Sequence, residues 1–180
     1  ALAASAVGHC FGLSAAQIAE GLGSAHTPQK RGDVLDFAAG FTVIDDSYNS
    51  NPRSLLNMVQ TLSAAGRKGQ RLIVIAGEML ELGSQAESLH RQAGNDIGQA
   101  GIDVLWGVRG LAKELIAGAN KAGLSATRYF ETAQAAGEAI VGEVKEGDLI
   151  LVKGSRGVAT DEVVAVLRQA FPLLGTDEEE

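Results

Sequence analysis

Between Thr42 and Pro52 two adjacent acids, Asp45 and Asp46, lead into Ser47, Tyr48, Asn49, Ser50 and Asn51. The apolar run Thr42 to Ile44 reads as a strand, and Pro52 suits the first turn of a helix. Polar side chains at the carboxyl end of a strand, where a helix begins, stand where open α/β sheets bind ligands. Capping by Ser50 or Asn51, with the acids as solvated turn residues, accounts for one or two of these groups. It leaves Asp45, Asp46, Tyr48 and Asn49 together without a reason, so the run reads as a ligand loop.

A second candidate, Lys153 to Arg156, follows the apolar run Asp148 to Val152 and precedes a helix. Arginine offers a planar fork of donors, Lys153 a point charge, and a helix start adds backbone amides. Together they suit a carboxylate or phosphate. The plainer reading is a helix capped by Ser155 beside two solvated cations. Between Gly77 and Gly83, Glu78 and Glu81 alternate with Met79, Leu80 and Leu82. That loop either packs on the core or turns its acids to a ligand. Arg31, beside Lys30, is either a hinge cation that closes onto an anion or a solvated charge. His90 reads as a packing or capping residue, His26 as a solvent-facing linker residue, and Trp106 as core.

No Gly-x-x-x-x-Gly-Lys-Ser/Thr loop occurs, and no Gly-x-Gly-x-x-Gly follows a strand. Triphosphate cradling in the P-loop manner is therefore excluded within this chain, and NAD is not expected. Any ATP must be held mostly by another domain.

The elements that would position these groups alternate. Val34 to Phe37 and Phe41 to Ile44 suggest a hairpin, and Pro52 to Ala65 a helix with Leu55, Leu56, Val59 and Leu62 on one face. Strands follow at 71–76, 102–108, 127–130 and 148–152, with helices at 84–100, 111–122, 132–144 and onward to about 170. Short connections between alternating strands and helices predict right-handed βαβ units. The expected fold is α/β: a Rossmann-like three-layer domain with a mostly parallel sheet. The loops 45–51, 77–83, 107–110 and 153–157 would then converge on one edge.

Composition agrees. The 180 residues are 46% hydrophobic, with few aromatics, which fits helices packed on a parallel sheet. The formal net charge of −7 with no basic cluster argues against nucleic acid. No apolar run could span a bilayer and no export signal is visible, so no membrane insertion and a cytoplasmic location are expected. The single Cys10 excludes an internal disulfide and is expected to be a small buried thiol; with His9 it makes no metal site. Residues 1–30 read as two short helices, the second capped by Ser14, plus a linker. They are too poor in large apolar groups for their own core and so are expected to belong to a preceding domain. An acidic tail, 173–180, is expected to be disordered.

Three segments in order, Val43 to Pro52, Ile75 to Gly83 with His90 downstream, and Leu151 to Arg156, resemble the Mur ligases, in their D-alanyl-D-alanine-adding branch. The likeness covers nearly everything from Arg31 to Ala170. Residues 1–23 likewise resemble the helical tail of that family's central ATPase domain. The resemblance implies the C-terminal domain, 31–172, of a three-domain ligase. That enzyme uses ATP and magnesium to phosphorylate UDP-N-acetylmuramoyl-tripeptide, whose acyl phosphate is attacked by the amine of D-alanyl-D-alanine in peptidoglycan precursor synthesis. It implies that Arg31 reaches the ATP phosphates and Asp46 the ribose, with Tyr48, Asn49 and Asn51 in the same nucleotide loop. Lys153, Ser155 and Arg156 would face the dipeptide, and Glu78 and Glu81 would orient its ammonium or shape its pocket. The partners implied are those substrates and the enzyme's own N-terminal and central domains, which would hold the magnesium, so the fragment alone should be inactive. The chain departs from several sister ligases at Lys30, where they carry histidine.

A response-regulator receiver domain also has paired acids after an early strand and a lysine after the last. Here its phosphoacceptor position is taken by Ala76-Gly77 or Gly107, and glycine follows the lysine. Folylpolyglutamate synthetase would share the fold, but the Asp45 to Asn49 run argues against it. A bare interaction module is the third alternative.

Overall fold

A strand covered by helices on both faces must be apolar on both sides, and the central strands here are. Every residue of β3 (Leu72–Gly77) and β6 (Leu149–Lys153) is buried. With β1 (Asp33–Asp36), β2 (Thr42–Asp46), β4 (Val104–Val108) and β5 (Thr127–Phe130) they form one six-stranded sheet. The order is β1-β2-β6-β3-β4-β5, antiparallel between β1 and β2 and parallel elsewhere. The computed structural model describes residues 1–25 and 29–175.

Helices α3 (Pro52–Ala65), α4 (Ala86–Gly98) and α5 (Ala112–Lys121) cover one face with Leu55, Val59, Ala93, Ile97 and Leu115. Helices α6 (Ala133–Glu143) and α7 (Asp161–Ala170) cover the other with Ile140, Val163 and Leu167. From β2 through β5 the chain advances across the sheet with α3 to α5 on one side. The return from β5 to β6 uses the opposite side, as right-handed crossovers require. β6 therefore feeds α7 on one face while its neighbours β2 and β3 feed α3 and α4 on the other. That reversal on either side of β6 opens two crevices at the carboxyl edge, where α/β sheets bind ligands.

Strand alternation decides which side chain enters which crevice. Val43 packs with α6 and α7 and Ile44 with the opposite core, and the two acids continue the alternation. Asp45 lines a cavity with Asp161, Val164 and Ala165 on the α7 side; Asp46 lines a cleft with Ser54 of α3.

The expected three-layer architecture and hairpin are present. The first parallel strand, β2, lies next to the last, β6, whereas a receiver-type sheet places its first strand between the second and third. Helix α4 begins at Ala86 rather than at Ser84, because Gly83–Gln85 form a tighter 3-10 turn ahead of it. Lys153 belongs to β6 and not to the loop after it. Cys10 is exposed, not buried, because α1 (Leu2–Cys10) buries only Gly8 and packs on α2 (Ala15–Gly23). Ser14 caps α2 through a full capping box, as expected. Leu173, read from sequence as the first residue of a disordered tail, bridges to Phe37, and Phe171 before it meets Phe41 edge-on. His26 and residues 176–180 fall outside the described residues.

The α4–α5 crossing depends on two glycines. A Cβ on Gly94 would lie 2.0 Å from the Leu115 carbonyl oxygen, and one on Gly118 would lie 2.0 Å from that of Arg91. Both obstacles are backbone, so Gly94→Ala or Gly118→Ala should cost about 1–3 kcal/mol of stability, read from urea unfolding. An unchanged midpoint would show that the helices can separate freely. Asp45 gives a pH signature. Burial pushes its carboxyl above the ordinary 3.8, opposed by hydrogen bonds from the Ser47 hydroxyl and amide. The folded state holds this proton more tightly than the unfolded one. Its stabilising effect is therefore full below 3.8 and is lost as pH rises through the raised folded value. Asp45→Asn should gain on the wild type in urea midpoint as pH rises above 3.8; a constant difference would refute this.

Candidate functional site

The loop after β2 is fixed at both ends by its own polar groups. Asn51, not Ser50, caps α3: its Oδ1 accepts the Ser54 amide at 2.9 Å while the Ser54 hydroxyl accepts the Asn51 amide at 3.1 Å. Asn49 Oδ1 accepts the Ser50 amide at 2.8 Å. Tyr48 donates its amide to the Lys30 carbonyl at 3.1 Å, and the Arg31 guanidinium lies 4.2 Å from the centre of the Tyr48 ring. Asp46 and Lys153 are directly opposite in the β2–β6 register. Lys153 Nζ donates to Asp46 Oδ2 at 2.6 Å and to the Asn49 carbonyl at 2.8 Å. The Lys153 side chain is 3% exposed and that of Asp46 16%.

These residues line the crevice between β2 and β6, a cleft of about 250 Å³ formed by Arg31, Asp46, Tyr48, Asn49, Asn51, Ser54 and Lys153. A second cleft, also about 250 Å³, opens between β6 and β3 and is lined by Tyr48, Asn49, Leu80, Glu81, Ser155, Arg156 and Gly157. Tyr48 and Asn49 belong to both, so they form a shared wall.

The second cleft is held from below. Ser155 is buried; its hydroxyl accepts the Leu80 amide at 3.0 Å and donates to the Ser50 carbonyl at 3.4 Å. It therefore ties three loops rather than capping a helix. Buried His90 accepts the Met79 amide on Nε2 at 2.8 Å, which places its proton on Nδ1, facing the Ala86 carbonyl at 2.7 Å. Of the packing or capping roles expected for His90, the buried packing one is present. Arg109 donates to the Gly157 carbonyl at 2.6 Å. Arg156 and Glu81 are exposed within the cleft.

Some expected site residues are apart from the others. Glu78 Oε1 accepts the Leu111 amide at 3.0 Å at the start of α5, outside both clefts, so its carboxylate caps a helix while Glu81 faces the cleft. Lys153 lines the first cleft and not the one with Ser155 and Arg156. Alternation explains the separation, since the last strand residue points to the α3 side.

Sequence reasoning missed the anchoring of Lys30. Its Nζ meets Asp161 of α7 at 2.6 Å and its amide meets Asp33 Oδ2 at 2.7 Å. No sequence signal joins positions 131 residues apart. Lys30, Glu81, Arg109 and Ala159 adopt positive φ of 57° to 67°, and each lies in a segment at this edge. Such backbone costs about 1–2 kcal/mol per residue and collects at functional sites. Among the described residues no group of three or more His, Cys, Asp or Glu could hold a metal ion, and no helix is long and apolar enough to cross a membrane.

Residues 30–156 match the family described as Mur ligase, glutamate ligase domain. A UDP-N-acetylmuramoyl-tripeptide--D-alanyl-D-alanine ligase of Escherichia coli is 33% identical over 169 residues, which are 94% of this chain and 36% of that protein. The enzyme of the same name from Bacillus subtilis is 30% identical over 172 residues, 91% of this chain and 36% of that protein. A crystal structure of MurF from Acinetobacter baumannii superposes with a TM-score of 0.75 at 26% identity, covering 92% of this chain and 35% of that one. The MurF ligase of Thermotoga maritima in complex with ADP shares the fold at 20% identity, with a TM-score of 0.74, covering 92% of this chain and 36% of that one. This chain thus spans about a third of the length of the relatives it matches. By the match over 30–156 and the two clefts that its motifs build, the chain belongs to the Mur ligase family.

Proposed function

We propose that this chain is the C-terminal domain, with the helical tail of the central domain, of a cytoplasmic ATP-dependent ligase. The ligase joins D-alanyl-D-alanine to UDP-N-acetylmuramoyl-tripeptide in peptidoglycan precursor synthesis. One observation carries the reading: two clefts of similar size meet at the Tyr48–Asn49 wall, one with Asp46 and Arg31, the other with an exposed guanidinium and carboxylate. The names borne by the relatives supply the substrates.

In this reading α1 and α2 belong to the neighbouring ATPase domain, which supplies the triphosphate and magnesium sites. Residues 31–172 are the domain that closes on it. Arg31 extends a positive charge from the hinge toward phosphate oxygens, and stacking on Tyr48 directs it. Asp46 accepts a ribose hydroxyl, with Tyr48, Asn49 and Asn51 around the nucleotide. ATP activates the tripeptide carboxylate as an acyl phosphate, which turns a poor leaving group into a good one.

The second cleft fits the dipeptide because its two free charges match a zwitterion. Arg156 offers a two-pronged donor to the terminal carboxylate. Glu81 attracts the ammonium, which must lose a proton before it attacks. Ser155 sets the depth of the cleft, and Leu80 gives a small apolar wall for methyl side chains. Closure of the domains would exclude water from the acyl phosphate and hold the amine against it.

In the full-length ligase, Asp46→Ala should raise the KM for ATP much more than that for the dipeptide. Arg156→Ala should do the reverse, each by about 10- to 100-fold, the worth of a hydrogen bond to a charged group. Steady-state kinetics with each substrate varied decide this, and unchanged constants in both variants would remove the assignment. The present polypeptide alone should release no phosphate from ATP in the presence of both other substrates. Appreciable release would mean that it holds a complete triphosphate site.

A further inference from the structure

Lys153 has a place in the fold that its neighbours in sequence do not share. Two and three residues on, Ser155 and Arg156 line the second cleft, yet the Lys153 ammonium is turned into the β2–β6 crevice. There it meets Asp46 Oδ2 at 2.6 Å and the Asn49 carbonyl at 2.8 Å, with 3% of its side chain exposed. Asp46 Oδ1 accepts no hydrogen bond among the described residues, so one carboxylate oxygen is fixed and the other is left for the cleft.

We infer that Lys153 is a positioning residue for the nucleotide side of the site, acting through Asp46 and the Asn49 carbonyl, and not a contact for the dipeptide. The inference rests on the nucleotide reading of the first cleft and assigns a residue which that reading alone would put on the other substrate. The physical reason is directional. A nearly dry ammonium is stable only where acceptors surround it, and its two acceptors are the last residue of β2 and the loop that follows it. The pair fixes the rotamer of Asp46 and holds the backbone of residue 49 toward the sheet. That contact sets where Tyr48 and Asn49, the wall common to both clefts, stand. Without the ammonium, Asp46 would be a partly buried carboxylate free to turn to water, and the loop would lose its tie to β6.

Four variants of the full-length ligase test this: Lys153→Met, Lys153→Arg, Asp46→Asn and the double variant Asp46→Asn/Lys153→Met. The KM for ATP should rise about tenfold or more in Lys153→Met, with a smaller rise in the KM for the dipeptide, which meets only the shared Tyr48–Asn49 wall. Lys153→Arg should recover part of the loss. The double variant should be no worse than the worse single, because both changes break one unit. Hydrogen exchange on the present chain gives a second reading: amides of residues 48–51 should exchange faster in Lys153→Met while those of β3 keep their protection. If protection falls throughout, the double variant, which leaves no charge stranded, takes its place in the same measurement. A rise in the dipeptide KM with the ATP KM unchanged would overturn the inference, as would additive losses or no change at all. The two readings fail differently. An Asp46→Asn variant with normal ATP kinetics sinks the nucleotide site itself. A defective Asp46→Asn beside a normal Lys153→Met sinks only the role of Lys153.

Discussion

The carboxyl edge of this sheet is organised around one buried ion pair, Lys153 with Asp46, at the ends of two adjacent parallel strands. Burying an ammonium and a carboxylate together is costly unless their remaining valences are met, and here the Asn49 carbonyl meets one. The pair therefore constrains shape more than it adds stability. It draws the loop after β2 down onto β6, and the contacts made by Tyr48 and Ser50 follow from where that loop stands. Tyr48 can then take the Arg31 guanidinium on its ring, and the Ser50 carbonyl lies within reach of Ser155. The Ser155 hydroxyl in turn holds the Leu80 amide, which carries the constraint to the loop after β3.

Topology provides the space that this chain of contacts shapes. Because β6 sends its connection to the α7 face while β2 and β3 send theirs to the opposite face, a crevice opens on each side of β6. One crevice receives Asp46, Asn49, Asn51 and Arg31; the other receives Arg156 and Glu81. The proposed ligase would thus hold its nucleotide and its dipeptide on either side of a single wall. The positive φ of Glu81 fits the same picture, since turning its carboxylate into the second cleft demands a turn that regular structure does not supply.

Much of this architecture was legible in the sequence, for a definite reason. The strands that became β3 and β6 are continuous apolar runs, and burial on both faces leaves no other place for them. Asn51 and Pro52 mark the start of α3 by local chemistry alone, and Ser14 does the same for α2. Distance in sequence hid the rest. Lys30 with Asp161, and Lys153 with Asp46, are each brought together only by the sheet. Glu78 and Glu81 could not be told apart by type or spacing, because the loop conformation alone turns one to the start of α5 and the other to the cleft. Lys153 was misplaced by a single residue of strand length, and in a strand one residue is enough to reverse the face. Cys10 followed the usual preference of thiols for the interior until the packing of α1 left it outside.

The most direct measurement of the central claim is a pair of amide chemical-shift titrations on this chain, one with ADP and one with D-alanyl-D-alanine. The account predicts two separate sets of perturbed amides, near residues 46–54 for the nucleotide and near 80–81 and 155–157 for the dipeptide, overlapping only at Tyr48 and Asn49. Perturbation of one common set by both ligands, or shifts confined to the α7 face around Asp45, would contradict it.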